Sequence, residues 1–342
     1  MVRFKKIQSL LTATLTAFVI VSCGGVNHSV SNSQSPTTSS DCRRITHERG
    51  ETEICGKPQR VVALGPDMLE LLLALNVQPV GFADYVRFHK GDYNDPKAQI
   101  PYLGNRITTP VANVGWSASP SIEAIVKLKP DLILSRDLSP ELYATLSKIA
   151  PTLFLKQFDP ETNLRAIATA INTPQAEPVL AKMQQNLKTA RQEFAPTVAA
   201  HPQVLMLIAT GNEMRLMSAT DNLCGSLVED LGFQLVYPAN FNPNQQNSSL
   251  PLTLEKLPEL DQADSVIVLG FDFAVDSQSQ TVDEFANYQV EQAKQRWQNN
   301  AIAQSLQASK AQRTYFIPAY TCLGLPGPIG TQLYLNQLQQ LR

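Results

Sequence analysis

The sequence has few of the residues that commonly carry catalysis or bind metal. Its four histidines lie in separate regions, and no two of them have the i, i+4 spacing of a helical zinc site. It also has no CxxC pair, HExxH sequence, Walker loop or GxGxxG sequence. Gly115–Ser119 approaches a nucleophile elbow but ends in serine instead of glycine. These absences argue against an enzyme and against a metal ion bound directly by side chains.

The chain also has no basic excess. It contains 28 Lys and Arg against 30 Asp and Glu, a formal net charge of −2, which argues against a nucleic-acid partner. With 43% hydrophobic and 17% charged residues it has the composition of a globular protein. At roughly 150 residues per domain, its length suggests about two domains, each able to bury a core.

The longest apolar run is too short to span a bilayer. Leu10–Val21 is interrupted only by threonine and falls well below the roughly 20 residues that a membrane helix needs. Three basic residues precede this run within the first six positions. A basic head followed by a short apolar stretch predicts a signal peptide over residues 1–22.

The signal peptide is followed by a cysteine. Ile20–Gly24 resembles the lipobox of bacterial lipoproteins, in which the cysteine becomes the lipidated first residue of the mature chain. This predicts that Cys23 is lipidated, the alternative being an ordinary secretory signal with a chance cysteine. Residues 23–41 are almost wholly small and polar and predict a flexible tether. We therefore expect the protein in the cell envelope, on the periplasmic side, anchored to a membrane by lipid.

Four further cysteines then remain in an oxidising compartment: Cys42, Cys55, Cys224 and Cys322. Three pairings are possible. Cys42–Cys55 and Cys224–Cys322 are favoured because each pair lies within one half of the chain. A metal–thiolate site is the alternative, and the lack of a CxxC pair disfavours it.

From residue 58 short strands alternate with amphipathic helices. Arg60–Leu64 predicts a strand, and Met68–Leu75 predicts a helix that Asp67 can cap. Ser119 and Ser139, each followed by proline, predict two further helix starts. Repeated units of this kind predict an α/β fold with mainly parallel sheets flanked by helices.

The middle of the chain predicts one long helix. Apolar residues recur there at intervals of three and four, at Val179, Leu180, Met183, Leu187, Ala190 and Phe194. This indicates an amphipathic helix of about 20 residues, roughly 30 Å long. It could be another surface helix. We expect instead that residues 173–200 join two α/β lobes, 42–172 and 201–342, with a ligand cleft between them.

Several short segments occur in an order typical of one protein family. They are Arg60–Leu75 followed by Val80 and Gly81, Pro120–Ile125, Lys129–Leu134, Leu227–Phe233, Leu257–Leu260 and Gly327–Gly330. Together they resemble the helical-backbone (class III) substrate-binding proteins of ABC importers. The resemblance covers roughly residues 58–342, and the sequence is most similar to the iron–siderophore branch.

The resemblance implies a non-enzymatic role, namely to hold an iron chelate between the lobes and deliver it to an ABC permease and its ATPase. It implies no cofactor, because the chelated ferric ion is the ligand. Cobalamin or haem is the alternative cargo. The related zinc- and manganese-binding proteins are disfavoured by the sparse histidines. A lipid-anchored envelope hydrolase with an unrecognised site is the alternative from another functional class.

Ligands of open α/β sheets lie beyond the carboxyl ends of the strands, which indicates candidate contacts. The candidates are Tyr85, Arg87, Trp116 and Arg136 in the first lobe and Thr210, Arg215, Phe271 and Tyr320 in the second. Arginine donates to anionic chelates in a fixed fork, and aromatic walls pack the organic part. Alternatively, Arg136 or Arg215 could pair with a neighbouring acidic residue and Trp116 could lie in the core.

The resemblance also implies an acidic residue on each lobe that pairs with arginines of the permease. Glu70 stands at the matching position of the first lobe, where we expect its charge to face water. In the second lobe the matching position is Ser226. Glu229, three residues later, shares its helical face and is the second candidate. Both could instead be ordinary solvated helix residues.

Overall fold

The computed structural model describes residues 41–86, 89–210, 213–220, 222–239, 241–242, 249–271 and 282–342. The predicted signal peptide, Cys23 and the tether up to residue 40 lie outside the described residues. None of the described helices is both long enough and apolar enough to cross a membrane.

The first lobe is a hairpin followed by strands and helices that alternate around one sheet. Its strands are β1 (Cys42–His47), β2 (Gly50–Cys55), β3 (Val61–Leu64), β4 (Gly81–Asp84), β5 (Ala112–Trp116), β6 (Ser119–Pro120), β7 (Leu132–Ser135) and β8 (Thr152–Phe154). Its helices are α1 (Pro66–Ala74), α2 (Pro96–Gln99), α3 (Ile122–Leu128), α4 (Pro140–Leu146) and α5 (Pro160–Ala170). The sheet order is β6-β5-β4-β3-β7-β8, and only the β5–β6 pair is antiparallel.

One long helix, α6 (Ala176–Ala200), leads into the second lobe. The second lobe contains β9 (Gln203–Thr210), β10 (Glu213–Met217), α7 (Leu223–Asp230), β11 (Gln234–Leu235), β12 (Ser249–Pro251), β13 (Ser265–Phe271), α8 (Val282–Gln298), α9 (Ala301–Ser305), α10 (Gln307–Lys310), β14 (Thr314–Pro318) and α11 (Pro328–Leu338). Its sheet order is β12-β10-β9-β13-β14, with β11 beside β9. The predicted two-lobed α/β fold class is confirmed.

The central strands explain how each lobe is held together. All residues of β3 and β7 are buried, as expected for parallel strands covered by helices on both faces. Successive residues of a strand point to opposite faces, so Val61 and Ala63 join one core cluster while Val62 and Leu64 join another. The second lobe is built in the same way around β9 and β13.

One of the predicted helix starts is confirmed, and two are wrong. Ser139 Oγ accepts a hydrogen bond from the Leu142 N–H, which caps α4. Ser119 lies instead in β6, and Ser121 caps α3. Asp67 does not cap α1. That helix starts after Gly65, whose φ of 127° suits glycine, and the Asp67 carboxyl binds other side chains.

Both predicted disulfides are confirmed. Cys42 and Cys55 lie opposite each other at the open end of the β1–β2 hairpin and are bonded. Cys224 of α7 is bonded to Cys322 in a π-helical turn, Tyr320–Gly324, and both are buried. The four cysteines therefore form no thiolate metal site. One group of potential metal ligands, Cys42, Glu53 and Cys55, is found among the described residues, and its two sulfur atoms are bonded to each other.

Candidate functional site

A cleft of about 510 Å³ opens between the two lobes, within the range of roughly 300–1,000 Å³ typical of small-molecule sites. Both lobes line it. The first lobe contributes Tyr85, Trp116, Arg136, Asp137, Gln157 and Phe158, and the second contributes Ile208, Thr210, Arg215, Met217, Asn222, Phe271 and Leu323.

The ends of the strands bring these side chains together. Tyr85 and Arg136 directly follow β4 and β7, and Trp116 is the last residue of β5. In the second lobe, Thr210 and Phe271 end the neighbouring parallel strands β9 and β13. Parallel strands present their carboxyl ends at one edge of a sheet, and in both lobes that edge faces the cleft. Six of the eight predicted residues thus line one cleft, and their contact with a ligand stays a prediction.

Arg136 is held by an acidic residue and a tyrosine. Its guanidinium forms an ion pair with Asp67, and its Nε donates to the Tyr85 hydroxyl at 3.1 Å. The Tyr85 hydroxyl in turn donates to Asp67 Oδ1 at 2.8 Å. The pKa of Asp67 is raised overall, because burial raises it by more than the neighbouring Arg136 charge lowers it. The alternative that Arg136 pairs with an acidic residue is therefore what the structure shows, and the pairing fixes the guanidinium in place.

Two aromatic rings also flank Arg136. Its Cζ atom lies 5.2 Å from the centroid of Tyr85 and 5.9 Å from that of Phe158. The side chain is 14% exposed, so the guanidinium reaches the cleft while most of it is covered. Arg136 can therefore present hydrogen-bond donors in one orientation, and little side-chain entropy would be lost when an anion binds.

Arg215 is more exposed than Arg136. It lies on β10, and its Nη1 is 3.7 Å from Glu213 Oε2. The Arg215 side chain is 29% exposed and that of Glu213 is 69% exposed. Solvent screens such a pair, and the Arg215 side chain lines the cleft.

Trp116 is a surface of the cleft rather than a core residue. Its Nε1 donates to the Tyr85 carbonyl oxygen at 2.9 Å, and the residue is 40% exposed. The hydrogen bond holds the indole on the first-lobe wall, and the exposed part offers an apolar face to a ligand. Phe271 offers an apolar surface from the second lobe.

Two predicted ligand residues do not join this set. Tyr320 is fully buried, stacks on Tyr102 at 5.5 Å between ring centroids and donates its hydroxyl to Asp84. Its assignment as a ligand contact is wrong, because the π-helical turn after β14 directs it into the interior instead of the cleft. Arg87 lies outside the described residues.

The expectation that Glu70 faces water is also wrong. Its side chain is fully buried, because α5 and α11 both pack on α1 and leave no face of that helix in water. A carboxyl in this position has no access to arginines of a membrane partner, so we withdraw its docking role. Glu229 is exposed on α7, and its docking role stays a prediction.

Sequence reasoning missed several groups around the cleft. The sequence predicts Asp67 as a helix cap, whereas the residue lies just beyond β3, at the same sheet edge as Arg136. Gln157 and Phe158 follow β8, so the rule applied to the other strands would have found them. Asp84, at the end of β4, is 3% exposed, and burial raises its pKa to about 7.

Comparisons with known proteins agree with this architecture. The probable siderophore-binding lipoprotein YfiY of Bacillus subtilis is 27% identical over 312 residues, covering 90% of this chain and 89% of that protein. The Fe(3+) dicitrate-binding periplasmic protein FecB of Escherichia coli is 26% identical over 288 residues, covering 83% of this chain and 84% of its own.

Solved structures show the same fold. Staphylococcus aureus SirA, complexed with staphyloferrin B, superposes with a TM-score of 0.66 at 23% identity, covering 87% of this chain and 98% of SirA. The petrobactin-binding protein YclQ of Bacillus subtilis gives a TM-score of 0.68 at 16% identity over 88% of this chain and 98% of its own. The family of periplasmic binding proteins matches this sequence over residues 61–321. The family consists of binding proteins rather than enzymes, as the sequence predicts, and with a match over most of its length this chain belongs to it.

Proposed function

We propose that this chain is the substrate-binding lipoprotein of an ABC importer, and that it captures a ferric siderophore in the cleft and delivers it to the permease. The observation that carries the proposal is the pairing of an arginine with an aromatic surface on each wall. Arg136 and Trp116 line one wall, and Arg215 and Phe271 line the other. The names of YfiY and FecB, and the ligand bound to SirA, support iron chelates as the cargo.

The chemistry of the cleft suits such a ligand. Ferric chelates of the citrate or hydroxamate type present carboxylate or carbonyl oxygens and are often anionic. Arg136 and Arg215 donate hydrogen bonds to oxygen from opposite sides, and Trp116 and Phe271 pack the organic part. The chelator supplies the ligands of the iron, so the proposal needs no cofactor and no metal site on the protein.

Delivery adds two parts to the proposal. We expect Cys23 to carry a lipid that anchors the chain to a membrane, with the domain on the periplasmic side of the cell envelope. Glu229, exposed on α7, is the remaining candidate for an ion pair with the permease. The ATPase would then drive transport through the permease. Replacing Cys23 by serine should release the protein from the membrane fraction while the isolated domain still binds its ligand.

Intrinsic fluorescence gives a direct test of the cargo. The chain has two tryptophans, Trp116 and Trp297. Trp297 is 2% exposed, and its Nε1 donates a hydrogen bond to Ser309 Oγ at 3.1 Å. A ligand in the cleft should therefore change the emission of Trp116. We expect saturable quenching by ferric citrate or a ferric hydroxamate.

Matched titrations separate the alternatives. A Trp116→Phe variant should lose the quenching, whereas Trp297→Phe should keep it. Saturable binding of haem or cobalamin, with no response to any ferric chelate, would establish the alternative cargo. Absence of binding by all of these ligands would refute a role in iron–chelate capture.

A further inference from the structure

The two lobes share part of one hydrophobic core. Phe285, Tyr320, Leu325 and Ile329 come from the second lobe, yet they belong to the core cluster of the first. Two carboxyl groups of the first lobe lie at this boundary, and neither takes part in the ligand chemistry proposed above.

The first carboxyl group belongs to Asp84 at the end of β4. Its Oδ1 and Oδ2 lie 3.1 Å and 3.4 Å from the Tyr320 hydroxyl, which donates to them across the boundary. The next residue, Tyr85, lines the cleft and binds Arg136. Tyr320 begins the turn that places Leu323 on the opposite wall. The Asp84–Tyr320 contact therefore links one wall of the cleft to the other over a few residues.

The second carboxyl group belongs to Glu70 of α1. Its Oε2 accepts the Gly327 N–H at 2.8 Å, and its Oε1 accepts the Gly330 N–H at 2.6 Å. These N–H groups lie at the start of α11, where a helix has no internal partners for its donors. A Cβ atom on Gly327 would lie 2.9 Å from the Glu70 carboxyl carbon, so the close approach depends on glycine. Glu70 thus attaches α11 of the second lobe to α1 of the first lobe.

We propose that Asp84 and Glu70 are positioning residues. Their carboxyl groups hold the second lobe's wall of the cleft at a fixed position relative to the first lobe's wall. The proposal rests on the cleft being the ligand site. Both groups act through buried, directional hydrogen bonds, which fix an orientation in a way that apolar packing alone does not. Arg136 and Arg215 are then presented to a ligand at a preset separation.

The distance between the lobes tests this without any ligand. In the full chain, one spin label would be placed on each lobe, at the exposed positions Lys148 and Lys310. The labels would be attached through a genetically encoded keto amino acid, which leaves both disulfides intact. Electron–electron dipolar spectroscopy then gives the distribution of distances between the lobes.

The variants separate positioning from simple stability. Tyr320→Phe removes the hydroxyl that donates the hydrogen bond, and Asp84→Ala removes the acceptor of that bond. Each should raise about fivefold the fraction of molecules whose distance between the lobes lies outside the wild-type distribution. Asp84→Asn should restore the narrow distribution, because its amide oxygen still accepts the hydroxyl. Glu70→Ala should broaden the distribution through α11. Val228→Ala, in the second lobe's own core, is the matched control and should lower stability without changing the distribution.

Two results would overturn the proposal. If Tyr320→Phe and Glu70→Ala both give distance distributions as narrow as that of the wild type, these contacts do not fix the relative position of the two walls. Equal broadening in Val228→Ala would show that the effect comes from general destabilisation. Neither result bears on the identity of the cargo, which the fluorescence titration decides.

Discussion

Replacing Glu70 by glutamine tests how burial acts on a carboxyl group at the boundary of the lobes. The side chain is fully buried, and burial raises its pKa from an ordinary value of 4.5 to about 8. The N–H groups of Gly330 and Gly327 lower the pKa, and the nearby Asp67 charge raises it.

The direction of the pH dependence follows from these values. The folded state binds more protons than the unfolded state between pH 4.5 and about 8. The contribution of Glu70 to stability is therefore fully present below that window and is lost as the pH rises through it. At about 1.4 kcal/mol per pKa unit, the loss across the window is at most on the order of 5 kcal/mol. Glutamine does not titrate, so the Glu70→Gln variant lacks this loss.

Urea denaturation at pH 5, 6.5 and 8 measures the effect as the difference in free energy of unfolding between the variant and the wild type. Taking the difference cancels the titration of all other groups. The free energy of unfolding of the variant should increase relative to that of the wild type as the pH rises. Glu177→Gln is the matched control, because Glu177 is exposed, pairs with Arg165 and has a lowered pKa. A difference that stays flat with pH would show that Glu70 is ionised across the whole range.

Four further outcomes are expected. Arg215→Ala should weaken ferric-chelate binding roughly ten- to a hundredfold in a fluorescence titration. Arg136→Ala should weaken binding and also lower the melting temperature, because Asp67 is left buried without its partner. Adding Asp67→Asn should recover part of that stability, and a melting temperature unaffected by Arg136→Ala would contradict the ion pair. Replacing both Cys224 and Cys322 by serine should cost roughly 2–5 kcal/mol in urea denaturation, more than opening the hairpin disulfide, whose loop is far shorter. Glu229→Arg should leave chelate affinity intact and reduce uptake in cells, and unchanged uptake would exclude a docking role.

Local patterns were sufficient to predict the fold. The buried strands are short continuous apolar runs, and their order with the intervening helices predicts parallel sheets. The same order places the strand ends at one edge, which is why Tyr85, Trp116 and Arg136 could be predicted to lie together. The cysteine pairs followed from their separation along the chain. Each of these inferences depends on neighbours in sequence or within one lobe.

The wrong assignments of Glu70 and Tyr320 arose where one lobe covers the other. Glu70 stands among leucines, and nothing in its own helix shows that α11 from the far end of the chain packs on it. Tyr320 follows β14 at the same edge as the true cleft residues, but a π-helical turn and the rings of Tyr102 and Phe285 hold it inside. Contacts between distant segments of the chain leave little trace in local periodicity. A single sequence therefore predicts the strand ends better than it predicts which of them reach solvent.

The two arginines of the cleft also differ in what each can contribute to binding. Arg136 is ion-paired with the buried Asp67, so part of its charge is already neutralised and its main contribution is orientation. The Arg215 side chain is 29% exposed, against 14% for Arg136, and its ion pair with Glu213 is exposed, so water and salt screen the charge of Arg215 more. Raising the salt concentration should therefore weaken chelate binding more in Arg136→Ala, which relies on Arg215, than in Arg215→Ala. Equal salt dependence in the two variants would contradict this division of roles.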